Sequence, residues 1–194
     1  MKLKFYGVAL AAIAAVAISP LWAARAEARP ARSAAAPQQT RPAATTNPNE
    51  GFLETWKDVS RKLADLAEDF PEDKYDYKPV PEVRTFAEQM IHVTSAVYYF
   101  KAILEGTKMP EEVKRSEFKS KAEIVAYAKK ALAEGTAMVE KADFSKTIQG
   151  RRRAINPYAF WSDFCEHAGE HYGQMVVYYR LNGIVPPESR PKKK

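Results

Sequence analysis

An all-α chain folding as a four-helix bundle is what the sequence predicts, on three observations. Apolar residues recur in steps of three and four over four separate stretches. Capping residues stand where three of those stretches begin. No run of alternating apolar and polar residues is long enough to make a strand that could anchor a sheet.

The first stretch carries Phe52, Trp56, Val59, Leu63, Leu66 and Phe70, spaced 4, 3, 4, 3 and 4, which places them on one side of a helix. Phe86, Met90, Val93, Val97, Phe100 and Leu104 repeat those steps in the second. Its start is marked by Thr85 and Glu88, a pair able to cap each other's backbone N–H groups. Ser120 and Glu123 open the third stretch in the same way. Its face is narrower, with Ile124, Ala128, Ala131, Met138 and Val139, and its small residues imply close approach to a neighbouring helix. Asn156 followed by Pro157 is a cap with proline in the first turn, and the fourth helix runs from there through Tyr179. Asn182-Gly183 and Pro186-Pro187 end it. The connections, about residues 71 to 84, 106 to 119 and 143 to 156, are long enough for simple antiparallel turns or for crossovers, so the order of the helices around the bundle stays open.

Ahead of the bundle, Met1-Lys2-Leu3-Lys4 and an uncharged run from Phe5 to Ala24 lead to Ala24-Arg25-Ala26. A cationic start, an apolar run and a small-x-small site describe a secretory signal peptide at residues 1–26, and so an exported protein, periplasmic or secreted. A retained anchor is the rival, but the run is mostly alanine and Pro20 interrupts it. After cleavage no membrane span is expected. Residues 27–49, rich in Ala, Pro, Thr and Gln, are expected to be a disordered linker. The folded domain is expected over residues 50–190, with a basic tail at 191–194.

The net charge of the whole chain is +6. Loss of Lys2, Lys4 and Arg25 with the leader lowers it to +3, so part of the basic character belongs to the leader. Arg151-Arg152-Arg153 and Lys192-Lys193-Lys194 are short clusters with no interleaved aromatics, and nucleic acid is not expected as a partner. With the sole cysteine at Cys165, no internal disulfide can form.

Two of the three histidines, His167 and His171, lie one helical turn apart in "EHAGEHYGQ", with Gln174 on the same strip and Phe160, Phe164, Ala168, Met175 and Tyr178 around it. A buried imidazole left unpaired costs about 1–3 kcal/mol, so this strip demands partners or a metal ion. The remaining histidine, His92, lies beside the apolar stripe of the second helix. A bundle can bring the three imidazoles around one cation and leave a coordination position open, as in reactive rather than structural zinc sites. Histidines exposed on the surface are the plain alternative. His167-Ala168-Gly169-Glu170-His171 also fits the H-x-x-E-H pattern of a zinc peptidase. That chemistry needs a further downstream ligand, and the one acid after His171 is Glu188, in a Pro-rich tail.

"LADLAEDFPEDKYDYKPVPEVRTFAEQMIHVTSAVYYF" and "EHAGEHYGQMVVYYRLNGIVPPESR" together resemble the DinB or YfiT-like superfamily of helical metalloproteins, in particular its exported bacterial members. The similarity covers about residues 50 to 190. It rests on the Asp-Tyr-Lys-Pro loop, on Arg84 to His92, and on the H-x-x-x-H-x-G-Q stretch that continues to Pro187. The resemblance implies a four-helix bundle with a divalent metal, zinc or nickel, held by a histidine triad matching His92, His167 and His171. It also implies a small-molecule substrate and, in characterised relatives, transferases and isomerases that use a low-molecular-weight thiol. Related bundles often form homodimers. The superfamily shares its name, not its fold, with a DNA polymerase, so no role in repair follows.

The expected function is thus that of an exported metal-binding protein acting as a thiol S-transferase or related enzyme, with Gln174 as a hydrogen-bonding group beside the metal or substrate. Glu170 is the candidate to orient a water for hydrolysis. A non-catalytic metal-binding or envelope stress protein is the competing reading, and a cavity beside the histidines would separate the two.

Overall fold

The computed structural model describes residues 48–191, so the expected leader, most of the linker and Lys192–Lys194 lie outside the described residues. Four helices account for most of the fold: α1 (Pro48–Asp69), α2 (Phe86–Glu105), α3 (Lys121–Glu140) and α4 (Pro157–Leu181). α1 begins inside the stretch read from sequence as linker, and Asn49 Nδ2 donates to Ala142 O at 2.7 Å, which ties that end to the end of α3. The connection before α4 holds a small hairpin, β1 (Ile148–Gln149) against β2 (Ala154–Ile155), with Ile148 opposite Ile155.

The caps expected from the sequence form. Glu88 N–H donates to Thr85 Oγ1 at 3.1 Å while Thr85 N–H donates to Glu88 Oε2 at 2.7 Å, so the first turn of α2 has two of its free donors satisfied. At α3 the reciprocal arm shifts by one residue. Ser120 Oγ accepts from Glu123 N–H, but the Glu123 carboxylate takes the N–H of Lys119 at 2.6 Å. Asn156 Oδ1 accepts from Tyr158 N–H at 2.9 Å at the start of α4. Gly106 and Gly183, with φ of 64° and 69°, turn the chain out of α2 and α4 through left-handed backbone that a side chain would strain.

Side-chain pairs fix the direction of each helix. α1 packs on α3 antiparallel, since Trp56 meets Thr136 near one end and Lys121 Nζ donates to Phe70 O near the other. α2 and α3 run parallel, because Ser95 pairs with Tyr127 and, two turns on, Lys101 pairs with Glu134. α4 lies antiparallel to α2 and parallel to α1, with Phe100 against Phe160 and Phe164, and Tyr179 O–H donating to Leu66 O at 2.9 Å. The principal neighbours around the bundle are therefore α1, α3, α2 and α4 in that cyclic order.

This order explains the three long connections. Residues 70–85 and 141–156 pass between helices that are not principal neighbours, and residues 106–120 must travel the length of the bundle to start α3 beside the start of α2. An α3 of 20 residues spans about 30 Å at 1.5 Å per residue, and the crossover has enough extended chain to do so. Arg115 on that crossover forms a bidentate pair with Asp76 on the 70–85 connection, at 2.8 and 3.1 Å.

The core is apolar and aromatic. Trp56 stacks on Phe164 at 4.1 Å and donates its indole N–H to Thr136 Oγ1 at 3.0 Å. At the other end Phe70 stacks on Phe86 at 3.9 Å, and Tyr75 folds in beside them to donate to Ala67 O. Leu104, counted on the α2 stripe in the sequence, is exposed because the helix ends one residue later and the bundle has closed by then. Among the described residues, no helix is long and apolar enough to cross a membrane.

Candidate metal centre

α2 and α4 run antiparallel, and that register brings His92 level with His167 and His171. The ring centroids are 4.4 Å apart for His167 and His171, 4.8 Å for His92 and His171, and 5.5 Å for His92 and His167. One ring nitrogen from each lies within 4.8 Å of the others, a cluster that could hold a metal ion. His171 is buried and the other two are half-buried, so this is an inward-facing group and not a set of surface histidines.

One polar atom is left over. His167 Nε2 is buried and has no hydrogen-bond partner. Leaving such an atom unpaired is costly, and a cation shared with two adjacent imidazoles would satisfy it. Burial holds all three imidazoles below their ordinary pKa, His92 down to about 4, and the positive charge of Arg84 adds to the depression at each ring. They are therefore neutral at pH 7, the form that donates a lone pair to a metal ion. Three neutral imidazoles suit zinc and several other divalent metals.

His171 is set by two glutamines. Gln174 Oε1 accepts from His171 Nδ1–H at 2.9 Å and also from the Gln89 side-chain amide, so both donors converge on one oxygen. Gln89 Nε2 also lies at 2.6 Å from His171 Nδ1, so the two glutamines and the imidazole form one compact hydrogen-bonded group across α2 and α4. With its proton on Nδ1, His171 keeps the lone pair of Nε2 free. Gln174 in turn donates to Glu170 Oε1 at 3.3 Å.

The histidines open onto a cleft of about 1650 Å³, bounded by α2, α4, the 70–85 connection and the crossover before α3. His92, His167 and Gln174 line it, with Arg84, Tyr99 and Val177 close by in the wall. Among the tyrosines of α2 and α4, Tyr99 and Tyr178 line the cleft. Tyr98 points to Glu134, Tyr172 lies beneath Lys62, and Tyr179 is core. Glu188, the acid that a peptidase arrangement would need, bonds Arg61 at 2.6 Å and is not part of the histidine group. Cys165 is buried, its thiol pushed up to about 11 by desolvation, and it lies outside the cluster.

Gln174 and Glu170 are legible as candidates from the strip around His171, whereas Gln89 and Arg84 are not. Gln89 stands one turn before His92 on α2, the spacing that could have drawn attention to it. Arg84 sits in a connection, where no helical period marks which residues face inward.

Solved structures with the same architecture share little sequence with this chain. A DinB-like protein from Bacillus cereus ATCC 10987 is 20% identical, with a TM-score of 0.60, over 71% of this chain and 95% of its own. A DinB-like protein from Bacillus subtilis is also 20% identical, with a TM-score of 0.57, over 73% and 99%. YfiT from Bacillus subtilis, described as a probable metal-dependent hydrolase with an unusual four-helix bundle topology, is 14% identical, with a TM-score of 0.55, over 74% and 93%. No curated protein matches the sequence. The profile of the DinB superfamily matches residues 55–175, which span the greater part of all four helices and every histidine, and the chain belongs to that superfamily.

Proposed function

We propose that His92, His167 and His171 hold a divalent cation, zinc or nickel, beside a small-molecule cleft, and that the centre serves an exported enzyme transferring a low-molecular-weight thiol to an electrophile. The observation that carries the metal assignment is the buried, unpartnered Nε2 of His167 between two other neutral imidazoles. A cation held there would supply Lewis-acid chemistry, lowering the pKa of a thiol or a water that enters from the cleft.

The protein's own groups do the rest. Gln174 fixes the His171 tautomer, and Gln89 holds Gln174 in place from the facing helix. The cleft supplies room for a substrate and a thiol side by side, which favours an enzyme over a sealed metal store.

Hydrolysis is a second reading. Glu170 reaches the same network through Gln174, and the similar fold of YfiT belongs to a protein described as a probable metal-dependent hydrolase. Glu170 is exposed and does not line the cleft, which weighs against it as the base and leaves thiol transfer as the first reading.

Elemental analysis of the protein purified without a histidine tag tests the centre. About one metal ion per chain is expected, and His171→Ala should lose most of it. Equal metal content in the two proteins would remove the site. Loaded protein is then given an electrophile with and without a thiol such as glutathione or cysteine: thiol-dependent loss of the electrophile supports transfer, and thiol-independent ester cleavage supports hydrolysis.

A further inference from the structure

Arg84 is an exposed residue of the cleft wall, its positive charge acts on all three histidines, and its guanidinium has no hydrogen-bond or ion-pair partner among the described residues. It immediately precedes the cap of α2, and its carbonyl accepts from Tyr178 O–H at 2.6 Å. Tyr178 is buried two turns beyond His171 on α4, so this bond holds the Arg84 backbone at a fixed height above the histidines.

The acidic groups along the cleft form no ion pair with it. Asp76 is taken by Arg115. Glu88 accepts from the Thr85 N–H and forms no ion pair with Arg84. Glu82, Glu111 and Glu112 are exposed and outside ion-pairing distance of Arg84. A guanidinium facing a cleft without an ion-pair partner has its donor fork open to a planar anion. The opposite requirement comes from Val177, which lines the same cleft, is 51% exposed and precedes the Tyr178 that bonds the Arg84 carbonyl. Apolar side chains left open inside a cleft mark where an apolar part of a ligand is covered.

We propose that Arg84 is the anion-binding residue of this cleft and that its ligands are small organic carboxylates with an apolar body lying against Val177. The inference takes the cleft as the substrate site and so deepens the reading above. The carboxylate anchored at Arg84 sets the rest of the molecule between the apolar wall and the histidines, which orients it for reaction at its other end.

Calorimetric titration with 4-phenylbutyrate and with 4-phenylbutan-1-ol tests this on metal-free protein and on zinc-loaded protein. Metal-free wild type should bind the carboxylate about ten-fold more tightly than the alcohol, the discrimination typical of a charge-assisted hydrogen bond. Arg84→Gln should bind the two alike, with alcohol affinity unchanged, and Arg84→Lys should fall between. Its backbone bond to Tyr178 survives these substitutions, so both variants should melt close to wild type. Equal binding of both probes by wild type, absence of binding, or a preference that persists in Arg84→Gln would overturn the inference. A chain that holds no zinc but keeps the Arg84-dependent preference would overturn the metal reading alone.

Discussion

His92 ties protonation to folding more tightly than any other residue of the cluster. Its pKa is held at about 4 in the folded chain against an ordinary 6.5, so the folded state binds fewer protons than the unfolded one between those values. The associated stability is fully present above pH 6.5 and is lost as the pH falls toward 4. His167 and His171 shift in the same direction. The carboxylates with lowered pKa values, Asp58, Asp69 and Asp143, act below about pH 3.8, outside this window. Thermal melting of metal-free protein should therefore drop between pH 7 and pH 5, and the drop should be smaller in His92→Gln. An equal drop in both would show that burial of this ring does not set the pH response. The sequence supplied the three histidines and Gln174. It could not show that Gln89 shares an acceptor with His171, because that contact depends on which side chain of α2 faces which turn of α4.

Among the helices, α3 is governed by close approach. Its small residues Ala128 and Ala131 are fully buried, and a Cβ on Gly135 would overlap the Trp56 indole and press on Phe164. Trp56 is 1% exposed, stacked on Phe164 and hydrogen-bonded to Thr136, so it has nowhere to move. Helix propensity alone would make Gly135→Ala stabilising by about 1 kcal/mol. Overpacking opposes this at about 1–3 kcal/mol and should win, lowering the melting temperature. A rise in melting temperature would mean that the indole can yield. The narrow small-residue face was readable from Ile124, Ala128 and Ala131. That its partner is Trp56 on α1 was not, because periodicity tells which side of a helix is buried and not which helix covers it.

At the scale of the whole molecule, helix number and most helix ends followed from apolar steps and caps, while the order of helices around the bundle did not. Connections of this length fit either arrangement, and only the pairing of Ser95 with Tyr127 and Lys101 with Glu134 shows α2 and α3 running the same way. The crossover that this requires forms one wall of the cleft and presents exposed Lys108 and Lys114. A saturating carboxylate ligand should slow tryptic cleavage there several-fold and leave cleavage at Arg151–Arg153 on the hairpin unchanged, as mass spectrometry of the early fragments would show. Equal protection at both places would point to a general gain in stability instead.

The division of labour between that wall and the helices also bears on how such a protein diversifies. Residues 106–120 are joined to the interior mainly through half-buried Val113 and Phe118, whereas the histidines stand on two rigid, fully packed helices. Insertions or exchanges in the outer strap would reshape what the cleft admits without moving the metal cradle, so new substrate ranges could arise at little risk to folding.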